Sequence, residues 1–121
     1  DRWTEVSTKF APSGRSYHTA VWSLGVMIVW GGWDGDSYLN TGGVYEPYSN
    51  YWVGTALTDA PAGRKYHTAV WTGDQMIVWG GLTSGGESGI RLDTGGRFSF
   101  QNKTGGGTGG GTGCEKGCVT P

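Results

Sequence analysis

The 121-residue chain has no long hydrophobic run: its longest apolar stretch, Val26-Met27-Ile28-Val29-Trp30, is short, where a membrane-spanning helix needs roughly 20 residues. Membrane insertion is therefore not expected. Nor is there an excess of either charge, since nine Lys and Arg stand against ten Asp and Glu, for a net charge of -1 without any block of like sign. That argues against nucleic acid or an anionic membrane as the main partner. Cysteine is scarce and confined to Cys114 and Cys118, near the end of the chain. A lone C-x3-C offers too few soft ligands for zinc, so no metal or cofactor is expected. A disulfide, closed locally or between chains, implies instead an oxidising location, extracellular or at a cell surface. The chain opens on Asp1 with neither Met nor secretory leader, as a processed protein, an excised fragment or an engineered chain would.

Glycine and aromatics are plentiful. The 25 Gly are several times the usual share of roughly 7%, yet no Gly-X-Y period runs through the chain, which excludes collagen. Seven Trp, six Tyr and three Phe supply the large apolar groups that disordered chains lack. The length allows one domain, burying about two thirds of the surface its unfolded chain exposes.

Much of this composition is repetition. Ala11-Pro12-Ser13-Gly14-Arg15 matches Ala60-Pro61-Ala62-Gly63-Arg64, Tyr17-His18-Thr19-Ala20-Val21-Trp22 matches Tyr66-His67-Thr68-Ala69-Val70-Trp71, and Met27-Ile28-Val29-Trp30-Gly31-Gly32 matches Met76-Ile77-Val78-Trp79-Gly80-Gly81, all at an offset of 49 residues. Trp3 and Trp52 keep that offset, whereas Leu39-Asn40-Thr41-Gly42-Gly43 and Leu92-Asp93-Thr94-Gly95-Gly96 are 53 apart, so the second copy carries four extra residues in the preceding loop. Loops are where repeats tolerate insertion.

Each copy reads as short strands: His18 to Trp22, then the apolar Val26 to Trp30 ended by Gly31-Gly32, a third through Val44 and Tyr45 up to Pro47, and a fourth near Tyr51-Trp52-Val53. No segment sustains a helical period, so the fold class is all-β. A unit of about 50 residues with an apolar run closed by diglycine, then Tyr45 and Trp52, resembles the kelch repeat, whose unit is one four-stranded antiparallel blade of a β-propeller. In the second copy Phe98 replaces the Tyr and Gly105 stands where the Trp belongs.

The resemblance implies a division into an orphan fourth strand at 1–8, one kelch-like blade at 9–58, a second at 59–103 lacking its fourth strand, and a Gly/Thr-rich tail at 104–121 with the cysteine pair. The two defects match: Trp3 and Val6, in the place of Trp52 and its neighbours, would complete a blade of another copy. Two blades cannot close a ring, which takes at least about four. The expected role is non-catalytic protein association by strand exchange between copies of the chain, in a closed ring or a filament. The alternatives are a glycan-binding lectin and a fragment of a larger kelch protein.

Candidate sites follow from what repeats and what does not. His18 and His67 occupy identical places, as do Arg15 and Arg64, which favours an architectural role over catalysis. No nucleophile elbow, acid pair or cofactor motif is present, so no enzyme is expected. Asp34-Gly35-Asp36 opens like a calcium loop, but Leu39 and Tyr45 stand where an EF-hand needs Gly and Glu. The unrepeated loop with Trp33, Asp34, Asp36 and Tyr38 would suit a carbohydrate, the rings stacking on its apolar face and the acids accepting its hydroxyls. The plainer reading is aromatics that pack over their own loop.

Overall fold

The computed structural model describes residues 1–100. Nine strands run in the order β1 (Thr19–Ser23), β2 (Val26–Trp30), β3 (Gly42–Glu46), β4 (Tyr51–Gly54), β5 (Thr68–Trp71), β6 (Met76–Trp79), β7 (Leu82–Thr83), β8 (Ile90–Arg91) and β9 (Gly95–Phe98). They form an antiparallel meander β1-β2-β3-β4, a three-stranded sheet β5-β6-β9 and a two-stranded hairpin β7-β8. The protein is all-β, with one multi-stranded sheet per sequence repeat.

Local chemistry sets these strands. Between β1 and β2 only Leu24 and Gly25 intervene, both at positive φ (46° and 85°), the handedness that a two-residue hairpin of twisted strands requires. The β3–β4 turn is held by the Glu46 carboxylate, which accepts the backbone N–H groups of Tyr48 and Ser49 at 2.9 and 2.6 Å. Gly31 and Gly32, at φ 74° and 104°, end β2 as a left-handed pair. Gly42 and Gly43 act differently: they lie inside β3, opposite Trp30 and Val29, where a Cβ would collide with the Val29 carbonyl or with Pro12 and Trp52. The four extra residues of the second copy fall in the β7–β8 hairpin, where the first copy has a single bridge between Trp33 and Tyr38.

Side chains alternate between faces along each strand. One face of the first sheet carries Thr19, Val21, Val26, Ile28, Trp30, Val44 and Val53. It meets Ala69, Trp71, Met76, Val78 and Phe98 of the second sheet, and with Phe100 these make the core. The residues from the second sheet are counterparts of the first sheet's opposite face, since Met76 and Val78 answer to Met27 and Val29. Sheets therefore pack head to tail, an A face on a B face. Residues 1–8, the stretch read as an orphan strand, contain no strand; Ser7 is held by the side chains of Asn50 and Trp52, and Trp3 is fully exposed.

Candidate functional site

Head-to-tail packing leaves one face of each type uncovered. In the first sheet Trp30 is 3% exposed, while its counterpart Trp79 is 57% exposed. Val21 is half-buried where Val70 is exposed, and Ile28 is fully buried where Ile77 is only partly so. Identical side chains thus differ only in whether a next repeat lies over them. Among the described residues, the A face of the second sheet is bare.

The histidines report the same asymmetry. His67 is buried across the sheet junction, its Nε2 2.8 Å from Thr19 Oγ1 of the first repeat, and its ring stands edge-on to Trp30 at 5.3 Å. Burial, ahead of the charges of Arg64 and His18, pushes its pKa down to about 4. Nδ1 is buried without a hydrogen-bond partner among the described residues, so a second proton would gain no acceptor there. His18, its counterpart, meets no second sheet among the described residues and is exposed.

Arg15 and Arg64 tie loops together within each repeat. Arg15 Nη1 donates to the carbonyls of Gly31 and Thr41 at 3.0 and 2.8 Å, and Arg64 Nη1 to those of Gly80 and Thr94 at 2.9 and 2.6 Å. Burial lowers the pKa of both guanidiniums. Each cation thereby ties the diglycine carbonyl to a threonine carbonyl that also accepts the N–H of the first glycine, Gly31 to Thr41 at 2.9 Å and Gly80 to Thr94 at 3.0 Å.

Trp52 shows how a fourth strand locks. It sits opposite Tyr45 in the β3–β4 register, its ring 5.0 Å from that tyrosine, over Gly43 and beside Pro12. Its Nε1 donates to the Ser7 carbonyl at 2.8 Å. The counterparts in the second repeat are Phe98, Gly96, Pro61, Met76, Val78 and Ala56. With Trp30 of the first sheet they line a small cavity of about 70 Å³. The chain has a tryptophan socket in each repeat, and among the described residues only the first is filled. Beside the second, the outer edge of β9 pairs with no strand among the described residues.

Around the loop singled out for a carbohydrate, Trp33 and Tyr38 meet edge to face at 4.9 Å. Asp34 is exposed, and its Oδ1 accepts the N–H groups of Asp36 and Ser37 at 2.9 and 2.7 Å. These bonds hold its pKa below the usual value. Asp36 Oδ2 accepts the Ser37 hydroxyl at 3.2 Å. Lys65, which no motif in the sequence singles out, extends its Nζ to within 5.1–5.6 Å of four ring centres, those of Tyr66, Trp33, Tyr17 and Tyr38. A signal for it existed: the repeat offset aligns Lys65 with Ser16, so the lysine is not something the architecture demands twice.

Cys114 and Cys118 lie outside the described residues, as does the Gly/Thr-rich tail. Among the described residues no three His, Cys, Asp or Glu side chains cluster to hold a metal, and no helix is long and apolar enough to cross a membrane. No protein-family profile matches the chain, and no curated protein does.

Proposed function

We propose that the protein is a non-catalytic, kelch-like propeller protomer that assembles head to tail with copies of itself. The observation that carries this reading is that the equivalent of the Trp52 site in the second repeat holds no tryptophan among the described residues, while Trp3, in the sequence place of Trp52, is fully exposed. Trp3 would enter the socket of a neighbouring copy opposite Phe98. Ser7, which accepts the Trp52 indole N–H, corresponds to Ala56, whose carbonyl would accept that of Trp3. Thr55 N–H donates to the Gly42 carbonyl at 3.1 Å; by the same correspondence Val6 would donate to Gly95. The bare A face supports the same partner. Thr68, Val70, Ile77 and Trp79 offer what Thr19, Val21, Ile28 and Trp30 offer within the chain, with Arg97 in the place of Val44, and the neighbour's B face, with His18, Trp22 and Met27, is what would cover such a surface.

Native mass spectrometry of the full chain tests this. Assembly is expected at micromolar concentration, and Trp3→Ala should weaken each contact at least about 30-fold, since buried interface tryptophans contribute about 2 kcal/mol or more. Because the Trp3 side chain is fully exposed in its own chain, the variant monomer should melt like the parent. A wild-type monomer at every concentration, or an assembly indifferent to Trp3→Ala, overturns the proposal.

A further inference from the structure

The face beside the two diglycine loops carries an unrepeated cluster that association does not use. Tyr17 and Tyr66 recur by repeat and meet at a tilt of 49° with ring centres 4.5 Å apart. Lys65, Trp33 and Tyr38 do not recur: their places in the other copy hold Ser16, Leu82 and the hairpin insertion. Both tyrosines hold left-handed backbone, at φ 58° and 61°, a conformation costly for bulky residues and retained where a side chain must be presented. Both are half-exposed, so their rings offer faces to solvent. The Lys65 ammonium lies among the rings with no carboxylate partner among the described residues. Ring quadrupoles orient this charge but do not neutralise it.

Next to Trp33 and Tyr38 a shallow groove of about 690 Å³, open to solvent, runs between the loops of the two repeats, edged by Ser37, Thr83, Ser84 and Asp36. Flat aromatic faces, one uncompensated cation and a row of hydroxyls together describe a complementary ligand. It has apolar ring faces, a carboxylate, and hydroxyl groups on the adjoining unit. We infer that this cluster binds an acidic oligosaccharide, a uronic-acid residue stacking on Tyr17 and Tyr66 with its carboxylate on Lys65 while the next sugar lies along Ser37, Thr83 and Ser84. The carbohydrate expected from Trp33, Asp34, Asp36 and Tyr38 is thereby moved by one loop and changed in charge, because Asp34 is committed to its own turn.

Titration calorimetry of the full chain with tetragalacturonate, and with the same tetramer fully methyl-esterified, tests the inference. The acid should bind about tenfold more tightly than the ester, as expected for a charge-assisted hydrogen bond. Lys65→Gln, which keeps the backbone bridge to Leu82, should erase that ratio, whereas Lys65→Arg should retain it. A tetraglutamate peptide, with the charge but no pyranose face, should bind about tenfold more weakly than the acidic sugar. Absence of binding by either sugar, equal binding of acid and ester, a ratio that survives Lys65→Gln, or equal binding of the peptide overturns it.

Discussion

His67 makes the stability of the sheet junction depend on pH in a way that can be worked out in advance. Its pKa falls from an ordinary 6.5 to about 4 in the folded chain, chiefly through burial. The unfolded chain therefore takes up the proton first as pH falls, and stability drops from pH 6.5 downward, levelling below about pH 4. From 1.36 kcal/mol per pKa unit, about 2 kcal/mol should be lost between pH 7.5 and 5, and about 3 kcal/mol by pH 4. The carboxyls of Asp34 and Glu46 are also held below their ordinary 3.8 and 4.5, by hydrogen bonds from their own turns. Their contribution is present above those ordinary values and is lost as pH falls below them, so the window from pH 7.5 to 5 isolates the histidine. Thermal melts of Trp3→Ala, in which association should not contribute, should fall by about 8–16 °C across that window for a chain of this size. Adding His67→Gln should flatten the slope, and adding the exposed His18→Gln should leave it. A melting point constant from pH 7.5 to 5, or a slope that survives His67→Gln, refutes the account of a buried neutral imidazole.

Three further outcomes distinguish equivalent residues in the two repeats. In chemical denaturation Trp30→Ala should cost about 3–5 kcal/mol as a buried large-to-small change, whereas Trp79→Ala should stay within about 0.5 kcal/mol in the monomer and yet reduce assembly in native mass spectra. Arg64→Ala should cost about 3 kcal/mol, because it removes the side-chain donor from the Gly80 carbonyl and one of the two donors from the Thr94 carbonyl, and empties a fully buried site; Arg15→Ala, more exposed, should cost about half as much in the same denaturation series. Gly42→Ala should destabilise by about 1–3 kcal/mol or more through its collision with the Val29 carbonyl, while Gly54→Ala, with open space around it, should be close to neutral by thermal melting.

The strand pattern was legible because the sequence states it twice. Val26 to Trp30 and Met76 to Trp79 announce themselves as apolar runs, and the diglycine that closes each has the positive φ it was expected to have. Gly42-Gly43 was harder to read. A glycine pair signals a turn and a close approach equally well, and only the cross-strand neighbours Trp30 and Val29 show that here it is the approach. Of the candidate residues, Trp33 and Tyr38 come together across their loop, and the exposed acids between them bond within it, Asp34 to backbone N–H groups and Asp36 to the Ser37 hydroxyl. Lys65 lay in plain view as a mismatch between copies. Its significance needs the fold, because the four rings it approaches come from three separate stretches of chain, and no local spacing brings Tyr17, Trp33 and Tyr66 to one ammonium.

The deeper asymmetry is between identical residues. A repeat protein whose units contact only their neighbours should bury each equivalent position alike, except at its two ends. Among the described residues each repeat has one uncovered face: one presents a B face with His18 exposed, the other an A face with Trp79 exposed. A terminal repeat that ends an array has a polar outer face, which keeps it soluble. Both faces here stay largely apolar: Val70 and Trp79 remain what Val21 and Trp30 are, and Met27 what Met76 is, although Arg97 stands opposite Ile77 where Val44 stands opposite Ile28. Retention of the buried residue types on both open faces, in complementary rather than identical sets, is what a heterologous contact requires. A self-complementary two-fold contact would instead place A on A, Trp79 against Trp79, and leave Trp3 outside the socket. Crosslinking separates the two arrangements, with His18→Cys in one set of chains, Thr68→Cys in another, and Cys114→Ser and Cys118→Ser in both so that only the introduced thiols can pair. Head-to-tail docking should join position 18 of one copy to position 68 of the next when the two sets are mixed. A mixture that yields only dimers linked through position 68 on both chains would show the two-fold contact in its place.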